Sequence, residues 1–270
     1  FLVFKFLGIK NSSHISGKIF NIIGPLFRSK KTIRQNFKIA LPNATKNEIK
    51  DHTKDMWNYY GRILAEYPFL KSFRNNSKNV NIEVTGNEIL NDLKTNRENV
   101  IFISGHFDNF ELMAMIIEKS GIDLAAIYRP LNNFLVDRIM VALRKKYICK
   151  NQIKKGRSSV RELVKLFKMG YSIALMIDQR VSEGIKSPFF SKEAYTTTIP
   201  AQFIKKFHCR VVPIYIERKF DLNFHVKVHK PIKFENDKDV AQITHDLNLC
   251  LEKMILENPS KWIWSHNRWK

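Results

Sequence analysis

Cysteine is scarce in this 270-residue chain, with only Cys149, Cys209 and Cys250. The three lie far apart in apolar or basic surroundings, with no CxxC pair. That excludes a disulfide framework and a thiolate zinc site, and it suits a reducing compartment. Long apolar runs are also missing. No stretch reaches the roughly 18 residues that a membrane-spanning helix needs, although the sequence begins at Phe1 rather than Met and so is compatible with a preceding N-terminal anchor. Nucleotide-binding and hydrolase signatures are absent as well: there is no GxGxxG, no Walker A loop, no GxSxG elbow and no HExxH. No RRM, KH or helix-turn-helix signature appears, which argues against nucleic acid as a partner. Acidic residues are few, 25 Asp and Glu against 46 Lys and Arg, giving a formal net charge of +21. A field of that sign draws in nucleic acid, anionic lipid surfaces or acidic proteins, and charge alone does not choose among them.

Apolar patterning is abundant. Short β-rich runs occur at VNIEV (80–84), NVIFIS (99–104), DLAAIY (123–128), YSIALMI (171–177) and CRVVPIYIE (209–217). Helical spacing separates them, at 88–94, 109–119, 134–146, 158–169 and 199–207. Strands apolar throughout and alternating with helices predict an α/β fold: a mostly parallel central sheet flanked by helices. NFHVKVHKPIKF alternates Phe224, Val226 and Val228 and reads as a half-exposed edge strand. Val240, Ile243, Leu247, Leu251 and Met254 predict a long amphipathic helix after it. The N-terminal third, through Ile49, Met56, Tyr60, Ile63 and Leu64, reads as a helical layer packed before the sheet begins. No repeat or linker divides the chain, so residues 33–270 are expected to form a single domain. Residues 1–32 mix Phe4, Phe6, Phe20, Ile22 and Leu26 with Lys5, Lys10, Lys18 and Arg28. That mixture suits a segment lying in an anionic membrane interface, and equally an amphipathic core helix.

The candidate chemistry sits in SGHFDNFE, residues 104–111. In an α/β sheet, reactive groups collect where strands end and helices begin. His106 stands at such a junction, and Glu111 follows five residues on. A histidine placed just before the first helical turn can swing back onto that carboxylate, which would fix its tautomer and leave the other ring nitrogen free to accept a proton. Such a dyad has no protein nucleophile and suits activation of a substrate's hydroxyl. The spacing alone arises by chance about 0.7 times in a chain of this composition. The pair His106 and Asp108 could also be read as metal ligands, but no matching second cluster accompanies it.

The surroundings add weight. GHFDNFE resembles the Gly-His-Phe-x-Asn-Trp-Glu block of the late acyltransferases of lipid A biosynthesis, the lauroyl and myristoyl transferase family, with Phe110 in place of Trp. IYRPLNN, the long block GYSIALMIDQR through VVPIYIER, and the ending PSKWIWSHNRWK resemble further blocks of that family in the same order, as do RQNFKIALP and YGRILAE upstream. The resemblance spans roughly residues 33–270. It implies transfer of a fatty acyl group from acyl carrier protein to a hydroxyl of a lipid A precursor of the Kdo-lipid IVA type, at the cytoplasmic face of the inner membrane, without metal or organic cofactor. A related acyltransferase acting on another glycolipid or lysophospholipid, or from acyl-CoA, is the alternative. By position, His106 would be the general base and Glu111 its partner. Asn109 and Arg129 match residues near the reacting carbonyl or acceptor phosphates, and Asp178, Gln179 and Arg180 match a supporting block.

The implied partners fit the charge, since acyl carrier protein, the phosphorylated acceptor and the membrane surface are all anionic. The terminal tryptophans, Trp262, Trp264 and Trp269, suit either an interfacial anchor or packing that pins the terminus to the sheet.

Overall fold

The computed structural model describes residues 2–156 and 159–270. Four helices come first: α1 (Leu2–Phe27), α2 (Lys30–Ala40), α3 (Lys46–Glu66) and α4 (Leu70–Arg74). The α/β part then runs β1 (Asn81–Thr85), α5 (Asn87–Thr95), β2 (Ile101–Ser104), α6 (Glu111–Lys119), β3 (Leu124–Tyr128), α7 (Phe134–Tyr147), β4 (Asn151–Lys154), α8 (Ser159–Lys168) and β5 (Ser172–Met176). A hairpin of β6 (Ile185–Phe189) and β7 (Lys192–Thr196) follows, then α9 (Ile199–Phe207), β8 (Val211–Phe220), β9 (Asn223–Val228) and α10 (Val240–Glu257). Ser158, the first residue of one expected helix, lies outside the described residues.

The central sheet has seven strands in the order β1-β9-β8-β2-β5-β3-β4, and every pairing except β8 with β9 is parallel. Its central strands β2 and β5 are apolar along nearly their whole length because both faces are covered. Neighbouring residues alternate between the two sides: Phe102 joins a core with α5, α6 and β9, whereas Ile101 and Ile103 join one with α8, α9, α10 and the terminal tryptophans. That two-residue period is the strand's own geometry.

Three elements depart from the sequence expectation. β9 is not an edge strand; it lies between β1 and β8, parallel to the first and antiparallel to the second. Its alternation comes from having only one well-covered face, where Phe224, Val226 and Val228 are buried, and that pattern does not distinguish an edge from a half-covered interior strand. β4 is too polar to signal itself (Asn-Gln-Ile-Lys) and forms the true edge beside β3. The β6–β7 hairpin turns through Phe190 and Ser191, both at positive φ, without the Asn-Gly pair that usually marks such a turn.

The N-terminal layer is tied in by close backbone approach. α1 lies along α3, and a Cβ on Gly61 would come within 2.4 Å of the Ser16 carbonyl oxygen. Ser16 Oγ donates to the Gly61 carbonyl at 2.6 Å. Beneath this pair lies a buried ionic cluster. The Arg218 guanidinium pairs with Glu66 at 2.9 Å and lies 4.3 Å over the Phe224 ring. Glu66 also accepts from Ser13 of α1 at 2.7 Å and from Asn109 at 2.9 Å. Asp108 accepts from the Arg218 backbone N–H at 2.8 Å. Each charge is held by several partners, which offsets the cost of burying it.

The cluster therefore joins α1, α3, the segment after β2 and the end of β8. Removing one partner leaves the other charge buried and unpaired. Glu66→Ala is expected to lower the unfolding free energy by about 3–5 kcal/mol in a denaturant titration, well beyond the loss from an exposed-pair variant such as Lys227→Ala, whose partner is Glu257.

Candidate active site

The site grows out of two adjacent strands. β2 and β5 are parallel, with Ser104 opposite Met176. Two residues further along each chain, His106 and Asp178 leave the same edge of the sheet side by side. Ser104 Oγ is held by the Ile214 carbonyl at 2.6 Å, and Ile177 N–H donates to the Ser104 carbonyl at 3.0 Å, so both strand ends are fixed where they open. Gly105 sits in a tight place: a Cβ there would lie 3.0 Å from the Phe107 ring and 3.1 Å from Leu251, so those side chains would have to give by a few tenths of an ångström. Asp108 takes positive φ, at 39°, and the chain turns before α6 starts at Glu111.

His106 Nδ1 lies 2.7 Å from Asp178 Oδ1, and the His106 backbone N–H donates to Asp178 Oδ2 at 2.8 Å. Trp262 Nε1–H donates to the same Oδ2, also at 2.8 Å. Burial alone would raise the Asp178 pKa. The charge of His106, its two hydrogen bonds and the Trp262 donor outweigh it and bring the carboxyl down to about 2. An ionised Asp178 accepts the Nδ1 proton and leaves Nε2 as the free base. Gln179 places its carboxamide 3.3 Å from Nε2, and the Phe110 ring lies edge-on at 4.7 Å. The His106 side chain is 19% exposed.

Glu111 is not the histidine's partner in this structure. It heads α6, and its carboxylate turns the other way, accepting from the Tyr67 hydroxyl and from Arg144 Nε at 3.0 Å. The reason is positional: His106 precedes the helix by a four-residue irregular segment, and the ring leans toward β5, where a nearer carboxylate waits. Tyr67 and Arg144 also bond each other at 2.8 Å, so Glu111 serves to fasten α6 between the segment after α3 and α7.

Asn109 is likewise turned inward, with its amide donating to Glu66 and only 1% exposed. Asp108 is committed to Arg218, so His106 and Asp108 do not converge on a common point as metal ligands would. Arg129 follows the end of β3 on the same carboxyl edge as His106; it is exposed and forms no ion pair among the described residues. Arg180 points toward the C-terminus, donating to the Lys270 carbonyl at 3.0 Å and lying over Tyr195.

Trp262 and His266, which the sequence reading did not assign to the site, complete it. Trp262 and Trp264 are fully buried packing residues, and Trp262 is also a donor to Asp178. His266 accepts the Arg180 backbone N–H on its Nε2 at 2.9 Å. The terminal segment therefore grips the Asp178–Arg180 turn at both ends. The sequence held the signal in its Trp-rich ending, but a tryptophan's packing role and its hydrogen-bonding role look the same in a string of letters.

His266 has a measurable consequence. Burial, only partly countered by the charge of Asp178, lowers its pKa from 6.5 to about 4. Between those values the unfolded chain binds the extra proton and the folded chain does not, so stability is full above pH 6.5 and falls as pH drops toward 4. The expected loss across that window is on the order of 3 kcal/mol. Urea titrations at the two pH values should show it in the native chain and show most of it gone in His266→Gln.

The whole chain, residues 1–270, matches the family described as bacterial lipid A biosynthesis acyltransferase. Among similar proteins, the Escherichia coli (strain K12) lipid A biosynthesis palmitoleoyltransferase is 22% identical over 250 residues, covering 91% of this chain and 80% of its own. The lauroyltransferase of the same organism is 23% identical, covering 90% and 79%. A lipid A biosynthesis acyltransferase of Haemophilus influenzae is 23% identical, covering 97% and 84%. Of solved structures, the 1-acyl-sn-glycerophosphate acyltransferase PlsC of Thermotoga maritima aligns over 94% of this chain and 96% of its own at 13% identity, with a TM-score of 0.44. The match over the full length means that this chain belongs to the bacterial lipid A biosynthesis acyltransferase family and is an acyltransferase.

Proposed function

We propose that the protein transfers a fatty acyl chain from the thioester of acyl carrier protein to a hydroxyl of a lipid A precursor of the Kdo-lipid IVA type, with His106 as general base and Asp178 as the residue that orients it. The observation that carries this reading is the 2.7 Å contact between His106 Nδ1 and a buried, ionised Asp178, on a histidine whose side chain stays 19% exposed. An acceptor hydroxyl is a weak nucleophile at neutral pH, whereas a thioester carbonyl is already reactive. One positioned base therefore suffices. Nε2 takes the hydroxyl proton as the oxygen attacks the carbonyl carbon, and the tetrahedral intermediate collapses with loss of the thiolate, which receives that proton from the imidazolium. Asp178 stabilises the imidazolium between the two steps.

Arg129 supplies a fixed positive charge on the same edge, suited to an acceptor phosphate or the developing oxyanion. Gln179, beside the ring, is suited to holding its orientation. The excess of cations supports an acidic carrier protein and an anionic membrane surface as partners. No helix among the described residues is long and apolar enough to cross a membrane. α1, broken at Gly8, exposes Leu2 and Phe6 before the break and Ile22, Leu26 and Phe27 after it, and the reading places these side chains in the lipid interface at the cytoplasmic side of the inner membrane.

Purified protein incubated with acyl carrier protein thioesters and the lipid A precursor should yield a product heavier by one acyl chain; acylation of a lysophospholipid instead would replace the acceptor assigned here. In that assay His106→Ala should abolish transfer. Asp178→Asn should lower kcat by about a hundredfold or more, because the amide can stabilise the wrong tautomer and not the cation. Glu111→Gln should retain kcat within roughly tenfold while lowering thermal stability, since it weakens the hold on Arg144 without touching the base. A Glu111→Gln loss equal to that of Asp178→Asn would return the orienting role to Glu111.

A further inference from the structure

The exposed apolar side chains of this chain are not scattered. Apart from Leu64, Met169, Phe220, Leu249 and Leu256, every large one among the described residues lies on α1 or between Leu131 and Ile139. Single exposed apolar residues are ordinary, whereas a contiguous group marks a contact surface. The second group sits where β3 passes into α7, and its most exposed members are Phe134 at 67% and Leu135 at 69%. Local structure holds it in place. Asn133 caps α7, its side-chain oxygen accepting from the Leu135 and Val136 N–H groups at 3.1 and 3.2 Å, and Asp137 accepts from the Leu131 N–H at 2.8 Å. The helix is fastened only further along: Met140 is buried, Leu143 and Tyr147 pack partly against the core, and Arg144 holds Glu111. The first turn therefore stands outside the core, ordered and apolar.

Cations surround this turn. Arg138 lies 5.3 Å over the Phe134 ring, and Lys145 and Lys146 are exposed in the last turn of α7. From 129 to 155 the sole acidic residue is Asp137. The group also has a defined place relative to His106. β8, β2, β5 and β3 are adjacent and parallel, so their carboxyl ends share one edge, with the His106–Asp178 pair at the two middle strands. On the β8 side, Lys10 and His14 of α1 meet Asp221, just past the strand's end, at 2.9 and 3.0 Å. On the β3 side stands the apolar turn of α7.

On the membrane-surface reading given above, we propose that the β3–α7 junction is a second membrane contact. Leu131, Phe134, Leu135, Val136 and Ile139 enter the apolar layer of an anionic bilayer while Arg138 stays among the headgroups, so that α1 and α7 hold the His106 edge against the membrane from both sides. An apolar turn edged by cations matches both layers of such a bilayer, its hydrocarbon and its negative surface. An acidic carrier protein would satisfy the cations and leave the apolar side chains in water. Two contacts flanking the site also fix its orientation, which a single anchor at α1 does not.

The test measures co-sedimentation of the native chain, Leu135→Asp and Met169→Asp with vesicles of phosphatidylglycerol and phosphatidylethanolamine, and acyl transfer by each to precursor dispersed in detergent. Leu135 lies in the first turn of α7, where a carboxylate favours the helix, so the change does not threaten the fold. Met169 is a matched control, 63% exposed but just before β5 at the opposite edge of the sheet. Leu135→Asp should lower vesicle partitioning by about tenfold or more and Met169→Asp by less than about twofold. Transfer in detergent should keep its kcat within about twofold in both. Partitioning of Leu135→Asp equal to that of the native chain would overturn the proposal, as would a raised KM for the acyl carrier protein thioester with partitioning unchanged, which would give this face to the carrier. A native chain that transfers acyl groups in detergent but does not sediment with the vesicles would overturn it together with the membrane-surface reading on which it rests.

Discussion

The pairing of His106 with Asp178 is the constraint around which the rest of the molecule is arranged. A carboxylate with 2% side-chain exposure is expensive to keep ionised, and this one is kept so by three directed donors: a ring N–H, a backbone N–H and an indole N–H. The donors come from two distant parts of the fold, His106 and Trp262. The first two depend on the register of β2 against β5, which sets His106 beside Asp178. The third depends on the chain's last residues folding back across the sheet, where Phe107 and Trp262 form a bridge. Catalytic geometry and the placement of the terminus are therefore one structural problem.

A second buried network supports the first from behind. Asp108 and Asn109, on either side of the turn that follows His106, are tied to Arg218 and Glu66. Lys261, the residue before Trp262, donates to the Arg218 carbonyl at 2.8 Å and accompanies Asp108. The polar residues of GHFDNFE thus divide their work. His106 remains partly exposed, while Asp108, Asn109 and Glu111 face inward and hold the segment in a backbone conformation that includes a non-glycine residue at positive φ. Three of the motif's four polar side chains are scaffold.

That division explains what the sequence could and could not disclose. The apolar runs at 99–104 and 171–177 disclosed two central strands because burial on both faces leaves an unbroken hydrophobic signature. His106 was legible because it stands where such a strand ends. Its partner was not, because Asp178 lies 72 residues away and becomes a neighbour only through strand register. Local spacing offered Glu111 instead, and local spacing carries no information about which way a ring leans. The same limit hid the roles of Trp262 and His266, and of Arg218, whose partners come from the opposite end of the chain. β9 misled for a related reason: alternation reports how many faces are covered, not how many neighbours a strand has.

The central claim concerns one proton, and ¹⁵N NMR of the histidine side chains can locate it directly. In the native chain near neutral pH, His106 should be the tautomer protonated at Nδ1, with a deshielded Nδ1–H that Asp178→Asn removes and Glu111→Gln leaves in place. A ring protonated at Nε2, or an Nδ1–H signal that vanishes in Glu111→Gln and survives in Asp178→Asn, would contradict the account.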